Sequence, residues 1–459
     1  MSKKNSNMKH ENCSSNKCHT LSHHHHMRIR WHEFFTSKSS TLAKEATLSE
    51  RSVIVGHVGM MLLSFGTGAW RVRSAMNTMA RNLNMTCSAD IGLVSLEYTC
   101  VDEFGHSYTQ ALSLPSTGVN TAKLNKMEAF VSQFEKDHGN WTIEKIHNTL
   151  EEITKQKASY QPWQVALASG IACGGFTFLL GGGIFEVIYA FFGAMAGNYA
   201  RRKMIDKRMT VLANVIGGVL VACCVYALAF YISNLFMHVS ARHLDGYIGA
   251  MLFVIPGFPF ITSGLDISKV DMRSGLERMA FASMIIVVAT AVGCIIALVL
   301  HLHPQDFLPL NLEPVILTIL RLFASFCGVF GFSIMFNTEV KMAMLAAVFG
   351  AIANTMRLSL VDFVNWPPAL AAFLGAFLAG ILASIVRKKI GYPRIALTVP
   401  AIVIMVPGLY MYRAMFNLTL ASFVQGEIWS IKALLIVISL PLGLITARIL
   451  TDPKWRHAG

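Results

Sequence analysis

Two Pro-Gly pairs stand inside long apolar stretches far apart in the chain, in Phe253-Val-Ile-Pro-Gly-Phe-Pro-Phe-Ile-Thr-Ser-Gly-Leu-Asp266 and in Ile404-Met-Val-Pro-Gly-Leu-Tyr-Met-Tyr-Arg413. Proline removes a backbone donor and glycine accepts φ above zero, so each stretch is expected to unwind at Pro256-Gly257 and at Pro407-Gly408. In a hydrocarbon core such backbone is tolerated only where protein buries it or it lines a cavity. Matched interruptions in two halves of a chain point to a transport site. Beside the first break, Thr262 and Ser263 supply hydroxyls and Asp266 a carboxylate, which with the freed backbone offer donors and acceptors to a small zwitterion. Asp271, Gly275 and Arg278 follow within about three helical turns, where they either gate an inner mouth by pairing or form a solvated loop. After the second break, Tyr410 and Arg413 are spaced to share one side of the continuing helix. Three roles are open to that guanidinium: it can fork a substrate carboxylate, pair with Glu186, or snorkel outward. Glu186 follows the Gly181-Gly-Gly183 turn, where a carboxylate costs a few kcal/mol unless it reaches water or a partner, and is a candidate for substrate or proton handling. Arg321, Asn214, Asn354 and Asp362 read as single interhelical or interfacial contacts.

Only a polytopic membrane protein positions such residues. The 459 residues are 54% hydrophobic and 14% charged, with mean hydropathy +0.50, too apolar for a soluble chain. Runs long enough to span a bilayer, about 20 residues each, fall near 163–181, 184–200, 210–237, 247–264 and 279–301, then near 314–336, 339–356, 367–386, 395–417 and 430–449. The fold class expected is therefore a polytopic α-helical membrane protein of about ten helices in two five-helix halves, 161–303 and 304–459. Basic residues such as Arg201, Arg202, Lys203, Lys269, Arg387 and Arg394 gather in alternate loops, which places both termini in the cytoplasm. That bias accounts for much of the net charge of +13 and leaves a nucleic-acid partner without support. Crowded glycines at 170, 174 and 175 favour close helix packing.

Ahead of the spans, 51–160 reads as a small α+β cytosolic domain. Val72, Met76, Met79 and Leu83 form a helical stripe, Leu93 to Leu114 a hairpin turning at Asp102-Glu-Phe-Gly105, and two further helices carry Leu124 to Phe134 and Ile143 to Ile153, the second capped by Thr142. Residues 1–50 read as a disordered polar tail, and its His10, Cys13, Cys18, His19 and His23-His26 lack recognisable zinc-ligand spacing, so no metal or cofactor is assigned.

The chain resembles a fused member of the bacterial threonine/serine exporter family, over nearly everything from about residue 52 onward. The resemblance rests on Gly66-Thr-Gly-Ala-Trp-Arg-Val-Arg-Ser74, on Leu179-Leu-Gly-Gly-Gly183, on Ile255-Pro-Gly-Phe-Pro259 with Asp266, Asp271, Gly275 and Arg278, and on Val406-Pro-Gly-Leu-Tyr410 with Arg413. One departure stands out: Arg73 occupies a position where an acidic residue is expected. The resemblance implies export of small amino acids across the bacterial inner membrane, driven by protons or the membrane potential. Split two-subunit relatives are associated with dicarboxylates. Partners expected are thus the lipid bilayer, protons, an amino-acid or carboxylate substrate and, compatibly, further copies of the chain. No P-loop occurs, which disfavours ATP drive; the competing readings are a hydrolase in the front domain, against which the lack of a nucleophile elbow and of HExxH counts, and a partner-binding sensor.

Overall fold

The computed structural model describes residues 40–238, 240–300, 307, 310–390 and 392–455. The His-rich tail discussed above lies outside them up to residue 39. Residues 40–47, counted with that tail on sequence, pack on the front domain: Ala43 N–H donates to Trp141 O and Ile143 N–H to Thr41 O.

The front domain opens with α1 (Leu48–Ser64), started by a capping box in which Thr47 and Glu50 satisfy each other's backbone amides. It continues with α2 (Ala69–Asn82), a three-stranded antiparallel sheet β1 (Met85–Ile91), β2 (Ser95–Asp102) and β3 (Ser107–Ser113), then α3 (Thr121–Lys136) and α4 (Ile143–Lys155). Val72, Met76, Met79 and Leu83 are fully buried, as their spacing predicts. Two elements were not legible. Helix α1 is apolar on nearly every face, so it shows no stripe, and β1 is an edge strand of small and polar residues paired as Cys87 to Cys100 and Ala89 to Tyr98.

Among the described residues ten helical units follow. The first half holds α5 (Pro162–Leu179), α6 (Ile184–Asp206), α7 (Val211–Met237), a bent pair made of Arg242–Val254, which contains α8 (Tyr247–Met251), and α9 (Gly257–Ile267), and then α10 (Met272–Val299). The second half holds α11 (Pro314–Met335), α12 (Val340–Asp362), α13 (Pro368–Ile390), a bent pair α14 (Arg394–Val403) and α15 (Gly408–Thr419), and α16 (Phe423–Thr451). Among the described residues six helices are long and apolar enough to cross a membrane, or eight if each bent pair is one span. Helices α5 and α6, expected as the first two crossings, fall short by composition, α5 through its glycines and polar small residues and α6 through Glu186, Asn198 and its basic C-terminal turn. Both still pack into the bundle: a Cβ at Gly170 would meet the Phe191 carbonyl of α6, and one at Gly175 the Ala324 carbonyl of α11. Glycine there lets backbones touch.

Candidate functional site

Both Pro-Gly pairs interrupt their helices, and in the same way. Pro256 sits at φ −80°, ψ 60° and Pro407 at φ −81°, ψ 56°. The following amide bonds back two residues in each, Gly257 N–H to Ile255 O at 2.8 Å and Gly408 N–H to Val406 O at 2.8 Å. These are inverse γ-turns, which reclaim part of the hydrogen bonding that proline removes. The flanking helices bend by 52° in the first half and 51° in the second.

The two turns meet each other. A Cβ on Gly257 would touch Val403 and Val406, and one on Gly408 would touch Leu252 and Ile255. Counted back from each glycine the contacted residues stand at the same positions, so the apposition is reciprocal about a local pseudo-twofold axis. Such a relation between two halves of a chain is what internal structural repeats produce. Between the turns lies a cavity of about 10 Å³ walled by Leu252, Ile255, Val403 and Val406 with Phe176 and Phe332. It is apolar and holds at most about one water. The polar cradle expected at the breaks is therefore not built by side chains there; the charged and hydroxyl groups lie at either end.

At the end facing the front domain, Asp266 is fully buried. It accepts from the Ala69 amide at 2.9 Å, from Ser274 Oγ at 3.1 Å, and pairs with Arg278 Nε at 3.3 Å. Ala69 opens α2, so the carboxylate sits on a helix N-terminus whose partial positive charge favours it. Arg278 in turn donates through Nη2 to Thr67 O at 2.8 Å. Asp271 pairs with Arg73, the residue that departs from the family pattern, and Arg273 pairs with Asp90. Glu277 accepts from the Leu93 amide at 2.6 Å. Asp271 and Arg278 are thus both buried and paired rather than part of a solvated loop. Thr262 and Ser263 spend their hydroxyl protons on Phe258 O (3.0 Å) and Gly275 O (2.7 Å). The second half is clasped as well: Thr121 bonds Thr338 Oγ1 at 2.7 Å, Tyr160 OH donates to Thr338 O at 2.6 Å and Ser159 N–H to Asn337 Oδ1 at 2.9 Å.

Beside Asp266 a second cavity, of about 30 Å³, lies under the front domain. Arg71 and Trp70 of α2, Thr262 of α9, Arg394 and Thr398 of α14 and Arg448 of α16 line it. Burial, and after it the charges of Arg387 and Arg394, push the Arg71 guanidinium below its ordinary value, while Asp452 acts in the opposite sense. Sequence reading missed this convergence because Arg394 counted as a loop charge, Arg71 belonged to the front-domain helix and Arg448 was not singled out. More than 300 residues separate Arg71 from Arg394, so no local spacing joins them.

The opposite end carries different chemistry. Tyr410 and Arg413 do share a side, and both lie on Trp429, with ring centroids 5.1 Å apart for the tyrosine and the guanidinium carbon 4.9 Å from the indole. Glu186 is buried, and the partner seen is His243 Nδ1 at 2.5 Å rather than Arg413. Phe185 packs on that imidazole and Tyr226 OH donates to His243 O at 2.6 Å. Closer to the breaks, two buried tyrosines, Tyr247 before the first and Tyr412 after the second, share a short hydroxyl hydrogen bond. Neither was singled out from sequence, since an aromatic in an apolar run reads as core. Asn354 bonds Ser325 Oγ at 2.9 Å and Arg321 pairs with Asp362, the interhelical contacts expected of them.

Comparison with known proteins agrees with this architecture. The family described as "Putative threonine/serine exporter" matches residues 53–301, and that described as "Threonine/Serine exporter, ThrE" matches 321–450. The chain is similar to the "Probable succinate transporter subunit YjjP" of Escherichia coli, 25% identical over 244 residues that make up 52% of this chain and 90% of that protein. Its counterpart of the same name in Klebsiella aerogenes is 24% identical over 243 residues, 52% of this chain and 89% of that protein. An uncharacterized protein of Haemophilus influenzae is 29% identical over 146 residues, 31% of this chain and 48% of its own length. No solved structure matches. With the first model spanning more than half of its residues and the second covering most of the remainder, this multi-pass membrane chain belongs to the threonine/serine exporter family, in a form that carries both parts in one polypeptide.

Proposed function

We propose that the protein is a secondary exporter that moves a small carboxylate-bearing metabolite out of the cytoplasm through the junction of its two bent spans, coupled to proton movement. The observation that carries this reading is the reciprocal packing of Gly257 on Val403 and Val406 and of Gly408 on Leu252 and Ile255. Two matched turns that touch across an apolar seam supply a hinge that opens toward either end, the geometry alternating access requires. The ten helical units cross the bilayer, with both termini and the front domain on the cytoplasmic side. Asp266 and Arg278 serve the inner mouth, Tyr247 and Tyr412 the outer side of the seam, and Glu186 with His243 carries the proton. Tyr410 and Arg413 receive the substrate carboxylate at the outer end.

Threonine and serine are the first substrates to test, on the family's description. A dicarboxylate such as succinate is the second, favoured by the arginines gathered at the inner end and by the name of the Escherichia coli and Klebsiella relatives. Those relatives are named as subunits, and assembly with further copies is part of the reading. Vesicles reconstituted with the purified chain and loaded with threonine, serine or succinate should release one of them faster when a proton gradient is imposed. Release no faster than from protein-free vesicles for all three overturns the exporter reading.

A further inference from the structure

We propose that the arginine-lined cavity beneath the front domain is a binding site for one carboxylate group, held jointly by Arg394 of the second membrane half and Arg71 of the front domain.

Arg394 is 7% exposed. Its Nη2 donates to Thr451 Oγ1 at 3.1 Å, while Nε and Nη1 are buried and find no acceptor among the described residues. Buried donors of a charged group left without acceptors are costly, so the position calls for an anion. Around it four guanidiniums, Arg71, Arg278, Arg394 and Arg448, meet three carboxylates. Glu128 pairs with Arg71, Asp266 with Arg278, and Asp452 approaches Arg448 at 3.8 Å. Arg387 adds to the same cluster, so positive charge is in excess, and Arg394 keeps two buried donors unspent where Arg448 keeps one, Nε. The hydroxyls nearby are not competing donors, since Thr398 donates to Arg394 O at 2.9 Å and Thr262 to Phe258 O.

The cavity of about 30 Å³ has room for about two waters, the size of a carboxylate group and not of a whole metabolite. Arg448 is fixed beside it, its guanidinium carbon 4.5 Å from the Trp70 ring and 4.0 Å from the Trp455 ring. Arg71 commits one nitrogen to Glu128 and keeps further N–H groups of its fork. Because Arg71 belongs to α2, whose first amide is already bonded to Asp266, a carboxylate here is read by the front domain and the second membrane half at once, beside an Asp266 of the first half that is already paired with Arg278. The front domain is then part of the inner substrate site rather than a separate module. This last step rests on the exporter reading, since it takes the carboxylate to be that of the transported metabolite.

The test is calorimetric titration of the full chain in neutral-lipid nanodiscs with succinate, L-threonine and inorganic phosphate. The expected result is saturable binding of a carboxylate, weakened at least tenfold by Arg394→Gln and several-fold by Arg71→Gln. Arg394→Lys should fall between, because an ammonium keeps the charge and loses the fork. If Arg394→Gln does not fold, the wild-type chain still decides: Trp70 lines the cavity, so its fluorescence should change on carboxylate addition and lose that change in Trp70→Phe. No carboxylate binding, phosphate binding as tight as carboxylate, or arginine variants that bind as wild type would each overturn the proposal. Vesicle efflux separates the two readings. Efflux with arginine-independent binding removes this site and leaves the exporter, whereas arginine-dependent binding without efflux keeps the site and removes the exporter.

Discussion

The two bent spans share a backbone and differ in everything attached to it. Each has proline in an inverse γ-turn, a bend near 50° and a glycine packed on the partner's apolar residues. Counting from that glycine, Thr262 stands where Arg413 does, Asp266 where Asn417 does, and Arg278 where Trp429 does. In the first half these positions yield a buried ion pair docked on the N-terminus of α2; in the second they yield a guanidinium on an indole. The comparison separates two kinds of information. Pro-Gly and the flanking branched residues encode the hinge, which repeats, while the residues 5 to 21 positions beyond the glycine encode the ends, which do not. The first set lies against the front domain and the second does not, so a matched pair of turns acquires two different ends.

The largest effect should come from breaking the shared part. Gly257→Val and Gly408→Val each force a side chain into the partner's turn, with overpacking of about 1–3 kcal/mol and a loss of vesicle efflux of tenfold or more. If one glycine tolerates valine with full efflux, the reciprocity is not functional. Next are the positions that differ. Asp266→Ala strands Arg278 in a buried site and should cost about 3–5 kcal/mol, read as a lower thermal midpoint and as faster amide exchange in α2. Asn417→Ala, its counterpart, loses only the 2.7 Å bond to Arg413 O, worth about 1 kcal/mol. Equal losses would contradict the asymmetry. Glu186→Gln should leave counterflow between substrate-loaded and substrate-containing sides intact while flattening the response of efflux to a proton gradient. A variant that still follows the gradient assigns proton coupling elsewhere. The smallest effect expected is from Trp429→Leu, which removes the aromatic surface under Arg413 and Tyr410 and should cost roughly 0.5–1 kcal/mol, seen as weaker substrate release at the outer end without loss of front-domain docking.

How much of this was legible in the sequence follows the same division. The hinge was, because proline and glycine act through their own backbone wherever they stand, and the stripe of Val72, Met76 and Met79 was, because helical periodicity is local. Tyr410 and Arg413 were placed on a common side by their spacing, and Trp429 beneath them was not. Pairing with Arg278 was among the readings open for this cluster, but the front-domain partners of Asp266 and Asp271 were invisible for one reason: Ala69 and Arg73 lie in a different domain, and a backbone amide leaves no mark in a sequence. Arg394 was read as obeying the positive-inside bias, and only the fold brings it beside Arg71 and Arg448. Helix α1 and strand β1 escaped because one is apolar all round and the other is barely apolar at all.

The central claim is that the seam between the two turns must open for substrate to pass. Ile255 and Val406 line that seam from opposite halves. In a chain whose nine native cysteines are replaced, Ile255→Cys with Val406→Cys should be joined by a short cleavable thiol crosslinker. Efflux is predicted to stop on crosslinking and to return when the link is cleaved. A fully crosslinked protein that exports at the uncrosslinked rate would contradict the account.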